Sequence, residues 1–237
     1  MLEYVYLPKL NCLSPSMDST ILKIVEESGE LARSVLLFLP YEKESAFRIQ
    51  HDPEARELLA DVVQELLDVA QTCVTMLFVL EEKYSFSIDE WMARHLNKLE
   101  KKGYLFDRQQ NYRIVDNAGF KQLALPHLGI ANVTLLKTVC KIQEEVGELT
   151  QFVGKKRGAS GERERIGEQE AMEGCGEELL DIAQCCFTMF YILSKRYRID
   201  LRRCLKSHVD KLAQKGYWSP GSVAQTMGKK DDTEPVF

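Results

Sequence analysis

Two pairs of carboxylates three residues apart recur in the same order and sequence context in each half of this chain. Glu27 and Glu30 are followed by Glu65 and Asp68. Glu145 and Glu148 are followed by Glu178 and Asp181. In a helix, positions three apart share a face. Each pair sits in an apolar segment, with Ile24, Val25 and Leu31 around the first and Leu66, Leu67 and Val69 around the second. Two helices packed through such segments would gather four carboxylates away from water. That is costly for each charge alone and worse for four that repel. A hard divalent cation resolves the conflict. Mg²⁺ prefers carboxylate oxygens and water and usually binds beside substrate phosphates; Mn²⁺ is an acceptable substitute.

The acids belong to a longer repeat. LKIVEESGEL (Leu22 to Leu31) is answered by CKIQEEVGEL (Cys140 to Leu149), ELLDVAQ (Glu65 to Gln71) by ELLDIAQ (Glu178 to Gln184), and HLNKLEKKGY (His95 to Tyr104) by HVDKLAQKGY (His208 to Tyr217). The offset is 118 residues around the first motif and 113 from the second onward, so the second copy is five residues shorter between its acids. A unit of this length is a duplicated domain rather than a solenoid repeat. The reading divides the chain into a first repeat (1–110), a linker (111–122), a second repeat (123–218) and a polar tail (219–237), which is expected to be disordered or loosely docked.

Glu26 and Glu144 stand one residue before each first pair, about 100° round the helix. They are placed either to serve a second metal, to orient a water or to face solvent. Lys98 and Lys211 lie on the third helical segment of each copy, with Lys102 and Lys215 one turn on. They suit a polyphosphate and equally an ordinary solvated helix face. Gly29 and Gly147 sit mid-helix at a cost of about 1 kcal/mol each, which suggests a close backbone approach beside the acids. His95 and His208, without other ligands at metal spacing, read as surface or packing residues.

Helical periodicity dominates and strand signals are scarce. The first helix runs from near Met17 to near Phe38. The second starts at Asp52-Pro53-Glu54, a cap followed by proline at the first helical position, and runs to about Lys83. The third opens on Ser87 with Glu90 three residues later and ends near Gly103. The second copy repeats this at Val133 to Val153, Gly167 to Tyr197 and Asp200 to about Lys215. Polar stretches at Glu42 to Arg56 and Lys155 to Gly174 interrupt the copies. The second is either a solvated connector or a lid whose Lys155, Lys156 and Arg157 gather phosphate charge. The expected architecture is all-α, with the two repeats packed as an intramolecular pseudo-dimer around a four-helix-bundle core.

Composition sets the class. Of 237 residues, 45% are hydrophobic and 28% charged, with a net charge of −5; this suits a globular chain with ample core. The absence of a basic stripe argues against nucleic-acid binding. The N-terminus does not read as a signal peptide. The longest apolar stretch, Val69 to Leu80, falls short of a membrane span. Seven cysteines read as reduced, mostly buried thiols in a cytoplasm.

EExxE, then ExxD, then a lysine-bearing third helix resembles the MazG-like, all-α nucleoside triphosphate pyrophosphohydrolases. The resemblance covers both copies. It implies an Mg²⁺-dependent enzyme that splits a nucleoside triphosphate into monophosphate and pyrophosphate, clearing damaged or surplus nucleotides. It implies metal ligation by Glu27, Glu30, Glu65 and Asp68 in one copy and by Glu145, Glu148, Glu178 and Asp181 in the other. It places Glu26 and Glu144 around a second metal or the attacking water, and Lys98, Lys211, Lys102 and Lys215 near phosphate. Phe38, Tyr41 or Phe152 are candidates to stack on the base. Rival readings are a nucleotide- or metal-binding regulatory module without turnover, a structural bundle, and hydrolysis of phosphoribosyl-ATP. The amphipathic third helices leave room for a homodimer of the chain.

Overall fold

The helix starts follow from local chemistry. In the computed structural model, which describes residues 4–84, 86–161 and 163–219, Ser16 forms a capping box with Ser19 and opens α1 (Met17–Phe38). A 3-10 turn (Leu39–Tyr41) and α2 (Ala46–His51) follow. Asp52 accepts the backbone N–H groups of Glu54 and Ala55 at 3.0 and 3.1 Å and starts α3 (Pro53–Tyr84). Ser87 caps α4 (Ile88–Lys101). Thr134 caps α5 (Leu135–Arg157), and α6 (Glu168–Tyr197) and α7 (Leu201–Gln214) complete the helices. The fold is all-α.

The recurring Gly-Tyr pairs close α4 and α7 in the same way. Gly103 and Gly216 take φ of 78° and 71°. Tyr104 N–H then donates to Leu99 C=O at 3.1 Å and Tyr217 N–H to Leu212 C=O at 3.0 Å. This six-to-one bond satisfies carbonyls that the helix end leaves open, and it needs a residue that tolerates the left-handed region.

Part of the chain read as linker is structured. β2 (Arg113–Asn117) and β3 (Phe120–Ala124) form a hairpin, and β1 (Val5–Pro8) pairs antiparallel with β3, in the order β1-β3-β2. The turn residues Ala118 and Gly119 both have positive φ, the backbone that a two-residue hairpin demands. A strained alanine hid this turn from the sequence reading. Lys121 on β3 is buried and pairs with Glu81 of α3 and with Asp116 at 2.8 Å.

The core is built by α1 on α3, α5 on α6, and across the repeats by α1 on α5 and α3 on α6. α3 contains an 18-residue window apolar and long enough to cross a membrane by composition; 83% of that window is buried within the fold. The sequence reading judged this segment too short. Its flanking apolar residues extend it.

The third helices cross over. α4 packs on α6 and α7 packs on α3, so each repeat lends its third helix to the other repeat's second. At the first crossing, a Cβ added to Gly176 would lie well inside van der Waals distance of the Trp91 indole ring. The equivalent positions, by the offset of 113, are Val63 and Cys204. The small-large combination is thus reversed between the two crossings.

Several expectations need correction. Lys155, Lys156 and Arg157 are not in a loop; they form the last turn of α5, where cations suit the helix dipole. Lys156 pairs with Glu164 at 2.8 Å and Arg157 with Asp18. Cysteines are all unpaired, but Cys12 and Cys140 are exposed. The tail from Pro220 onward lies outside the described residues.

Replacing Gly176 by Val should cost about 1–3 kcal/mol by overpacking, and replacing Trp91 by Cys roughly 3–5 kcal/mol by leaving a cavity. The double variant should be clearly more stable than the sum of the two losses implies. Urea unfolding of the four proteins measures this; strict additivity would contradict the Trp91–Gly176 packing.

Candidate metal and phosphate sites

α1 and α3 bring three of the four first-repeat acids together, and α5 and α6 do the same in the second. Ligand oxygens of Glu27, Glu30 and Glu65 lie within 4.8 Å of one another, as do those of Glu145, Glu178 and Asp181. Asp68 and Glu148 stand outside these sets. Asp68 is drawn away by Lys211, whose Nζ lies 2.8 Å from its Oδ2. Glu148 is exposed at the helix surface, yet its charge is still felt by Glu178.

Both sites are composite. Lys98 of the first repeat pairs with Asp181 of the second, and Lys211 of the second pairs with Asp68 of the first. The histidines three residues earlier follow the same path, because i and i+3 share a helix face. His95 Nδ1 lies 3.0 Å from Asp181 Oδ1, and its Nε2 lies 3.4 Å from Gln184 Oε1. His208 Nδ1 lies 3.7 Å from Asp68 Oδ1. Of the two readings, surface or packing, the structure gives the second: these histidines are buried against the acids. The signal was their recurrence three residues before the lysine.

Two further repeated residues were missed. Gln71 donates to Pro8 C=O and Gln184 to Pro126 C=O, each at 2.9 Å. These bonds anchor the recurring Leu-Pro segments to the acid-bearing helices. Lys23 reaches Glu26 at 3.2 Å and Glu27 at 2.5 Å. Lys141 reaches Glu144 at 2.9 Å and Glu145 at 2.6 Å. Glu26 and Glu144 are therefore solvent-facing at the rim of each cluster, clamped by the preceding lysine.

The electrostatics are those of crowded, dehydrated acids. Burial, then Asp68, Glu30 and Glu27, push Glu65 up to about 7. Burial also pushes Glu178 up to about 7; Lys98 opposes this, and Asp181, Glu145 and Glu148 add to it. Burial alone would raise Asp181, but His95 and Lys98 bring it below its ordinary value. Burial lowers His208 to about 4, keeping the ring neutral near pH 7.

These residues suit a hard divalent cation. Every donor in the two clusters is a carboxylate oxygen. Glu178 is 93% buried, and its Oε2 has no hydrogen-bond partner among the described residues. An orphaned, dehydrated carboxylate oxygen beside two other acids is the environment that an added cation relieves.

Two expectations about neighbours do not hold. A Cβ on Gly29 or Gly147 would meet nothing within 4 Å, so no backbone approaches there; both face open space next to the acids. Phe38 is fully buried with its ring edge-on to Tyr197 and is not free to stack on a base. Tyr41 and Phe152 are half-buried.

A cleft of about 460 Å³ opens beside Asp181, with Trp91, Lys98 and Lys102 of α4 in its wall. That volume is in the range of small-molecule sites. No protein-family model, no curated protein and no solved structure matches this chain.

Glu178 keeps its proton to about pH 7 when folded, against an ordinary value of 4.5. Between these values the folded chain binds more protons than the unfolded one, so this group's contribution to stability falls as pH rises through the window. His208 acts in the opposite sense between about 4 and 6.5. The difference between Glu178→Gln and wild type removes that contribution. The metal-free variant should gain melting temperature relative to wild type from pH 4.5 to 7.5, and Mg²⁺ should raise wild type more than the variant at pH 8. A difference that is flat with pH would contradict the assignment.

Proposed function

We propose that this chain is an Mg²⁺-dependent nucleoside triphosphate pyrophosphohydrolase of the MazG-like, all-α kind, with its two repeats acting as an intramolecular pseudo-dimer. The observation that carries this is the buried cluster of Glu145, Glu178 and Asp181, with Glu178 Oε2 unpartnered among the described residues and a lysine delivered from the other repeat beside it. Such a site calls for a divalent cation on one side and an anion on the other.

In this reading Glu145, Glu178 and Asp181 hold the metal in one site, and Glu27, Glu30 and Glu65 in the other, with Glu148 and Asp68 completing the sets. When bound, Mg²⁺ supplies charge neutralisation on the triphosphate and acidifies water. Lys98 and Lys102 of α4 bind phosphate oxygens at the second-repeat acids, and Lys211 and Lys215 of α7 do so at the first. Lys98 and Lys211 exchange their aspartate partners for phosphate. Glu144 is held below its ordinary value by Lys141, so it is ionised at neutral pH and able to accept a proton from the attacking water. Glu26 has the same place in the first repeat. Water oxygen joins phosphorus, its proton passes to the glutamate, and the leaving oxygen departs with pyrophosphate, its charge steadied by lysine. Clearing damaged or surplus nucleotides is the role that fold analogy suggests.

Purified protein with Mg²⁺ should release pyrophosphate from at least one member of a panel of ordinary and modified nucleoside triphosphates. Glu27→Gln combined with Glu145→Gln should lower the rate at least about 100-fold, the scale of losing a metal ligand. A folded, Mg²⁺-binding protein that releases no pyrophosphate from any of them would overturn the proposal.

A further inference from the structure

We infer that the two carboxylate sites are unequal, and that the α4 cleft beside Glu145, Glu178 and Asp181 is the tight site for a triphosphate while the α7 site is a weak one. This rests on the pyrophosphohydrolase reading for the nature of the ligand and goes beyond it in choosing between the sites.

The two third helices share His95 and His208, Leu99 and Leu212 on their buried side and differ in the face they turn to the cleft. On α4 that face carries Arg94, Asn97, Lys98, Lys101 and Lys102. The equivalent positions on α7, at the offset of 113, are Ser207, Asp210, Lys211, Gln214 and Lys215. Across from them stand Glu177 and Asp181 at one site, but Gln64 and Asp68 at the other. Among the residues that line the α4 cleft four cations face two acids, Glu177 and Asp181, while Glu90 and Glu173 also reach Arg94. At the equivalent α7 positions Lys211 and Lys215 face Asp68, Asp210 adds a second acid on the helix itself, and Arg203 stands one turn before Ser207 where α4 has Glu90.

The α4 cations differ in availability. Arg94 is engaged with Glu177 at 3.2 Å and Glu173 at 4.0 Å, which fastens α4 to α6. Lys98 is held by Asp181. Lys101 and Lys102 are exposed and have no ion-pair partner among the described residues. They lie on the last turn of α4, where the helix dipole also favours cations, and they leave positive charge open to the cleft. Lys102 also acts on Glu144, so it reaches the rim of the second-repeat acids. A polyphosphate, whose charge density needs several donors at once, finds two such lysines side by side here, where α7 has Gln214 and Lys215. The indole of Trp91 lies in the same wall, where the α7 site has Cys204. The Oε2 of the 93% buried Glu178, unpartnered among the described residues, lies at the same site, and no acid oxygen of the first-repeat cluster is likewise buried and unpartnered among them.

Because the base is unidentified, the probe is inorganic tripolyphosphate with Mg²⁺, titrated calorimetrically into the whole chain. One tight equivalent per chain is expected. Asn97→Asp with Lys101→Gln, which writes the α7 face onto α4 at exposed positions, should weaken it about tenfold or more. Asp210→Asn with Gln214→Lys should raise the tight stoichiometry toward two. Melting curves check that both variants remain folded. Two equal equivalents in wild type, or no effect of the α4 exchange, with pyrophosphate release intact, would overturn the inequality and leave the hydrolase reading standing. Failure of tripolyphosphate to bind, together with no pyrophosphate release, would overturn both.

Discussion

The crossing of the third helices governs this structure. α4 lies on α6 and α7 on α3, so neither repeat completes its own polar site. The ion pairs Lys98–Asp181, Arg94–Glu177 and Lys211–Asp68 and the buried histidines beside them are polar contacts of those crossings. Desolvated carboxylates need such partners, because a buried acid without countercharge is costly. The packing that places the lysines is apolar and steric: Trp91 fills the space left by a glycine at one crossing. Core packing thus fixes the register, and the charges follow.

Covalent linkage has a consequence for the sites. In a dimer of identical chains, both composite sites would be the same by symmetry. In a duplicated chain the two third helices are separate sequences free to diverge. Asn97 against Asp210 and Lys101 against Gln214 are such divergences at exposed positions of the cleft face, and Trp91 against Cys204 is one within the packed crossing, where His95 and His208 still agree. The acids, by contrast, are retained in both copies. A cluster of like charges in a helix interface is a constant cost to the fold, which is consistent with their serving a ligand rather than stability.

The sheet shows how the halves are tied outside the bundle. β1 from the start of the first repeat pairs with β3, just before the second. Gln71 and Gln184 secure the segments that follow β1 and β3 to α3 and α6. The acid-bearing helices are thereby anchored by side-chain amides one turn beyond Asp68 and Asp181, beside the points where the crossing helices pack. Lys121, buried between Glu81 and Asp116, adds a charge cluster with no part in either site.

The all-α class, the helix starts at Pro53 and Ser87, the Gly-Tyr terminators and the pairing of acids on one face were legible in the sequence, because each depends on residues within one or two turns. The duplication itself was legible for the same reason: motifs can be compared without knowing where they lie in space. The hairpin was not, since its turn uses Ala118 at positive φ, which local preference disfavours. Nor was the burial of His95 and His208, or which aspartate each lysine would meet. Those depend on which repeat a third helix packs against, and side chains distant in sequence settle that through shape: the indole of Trp91 fits where Gly176 leaves room. The sequence by itself determined which chemical groups this protein carries and on which helix faces. Only the tertiary structure decided which of them share a site, because interhelical packing over long sequence separations leaves no periodic trace along the chain.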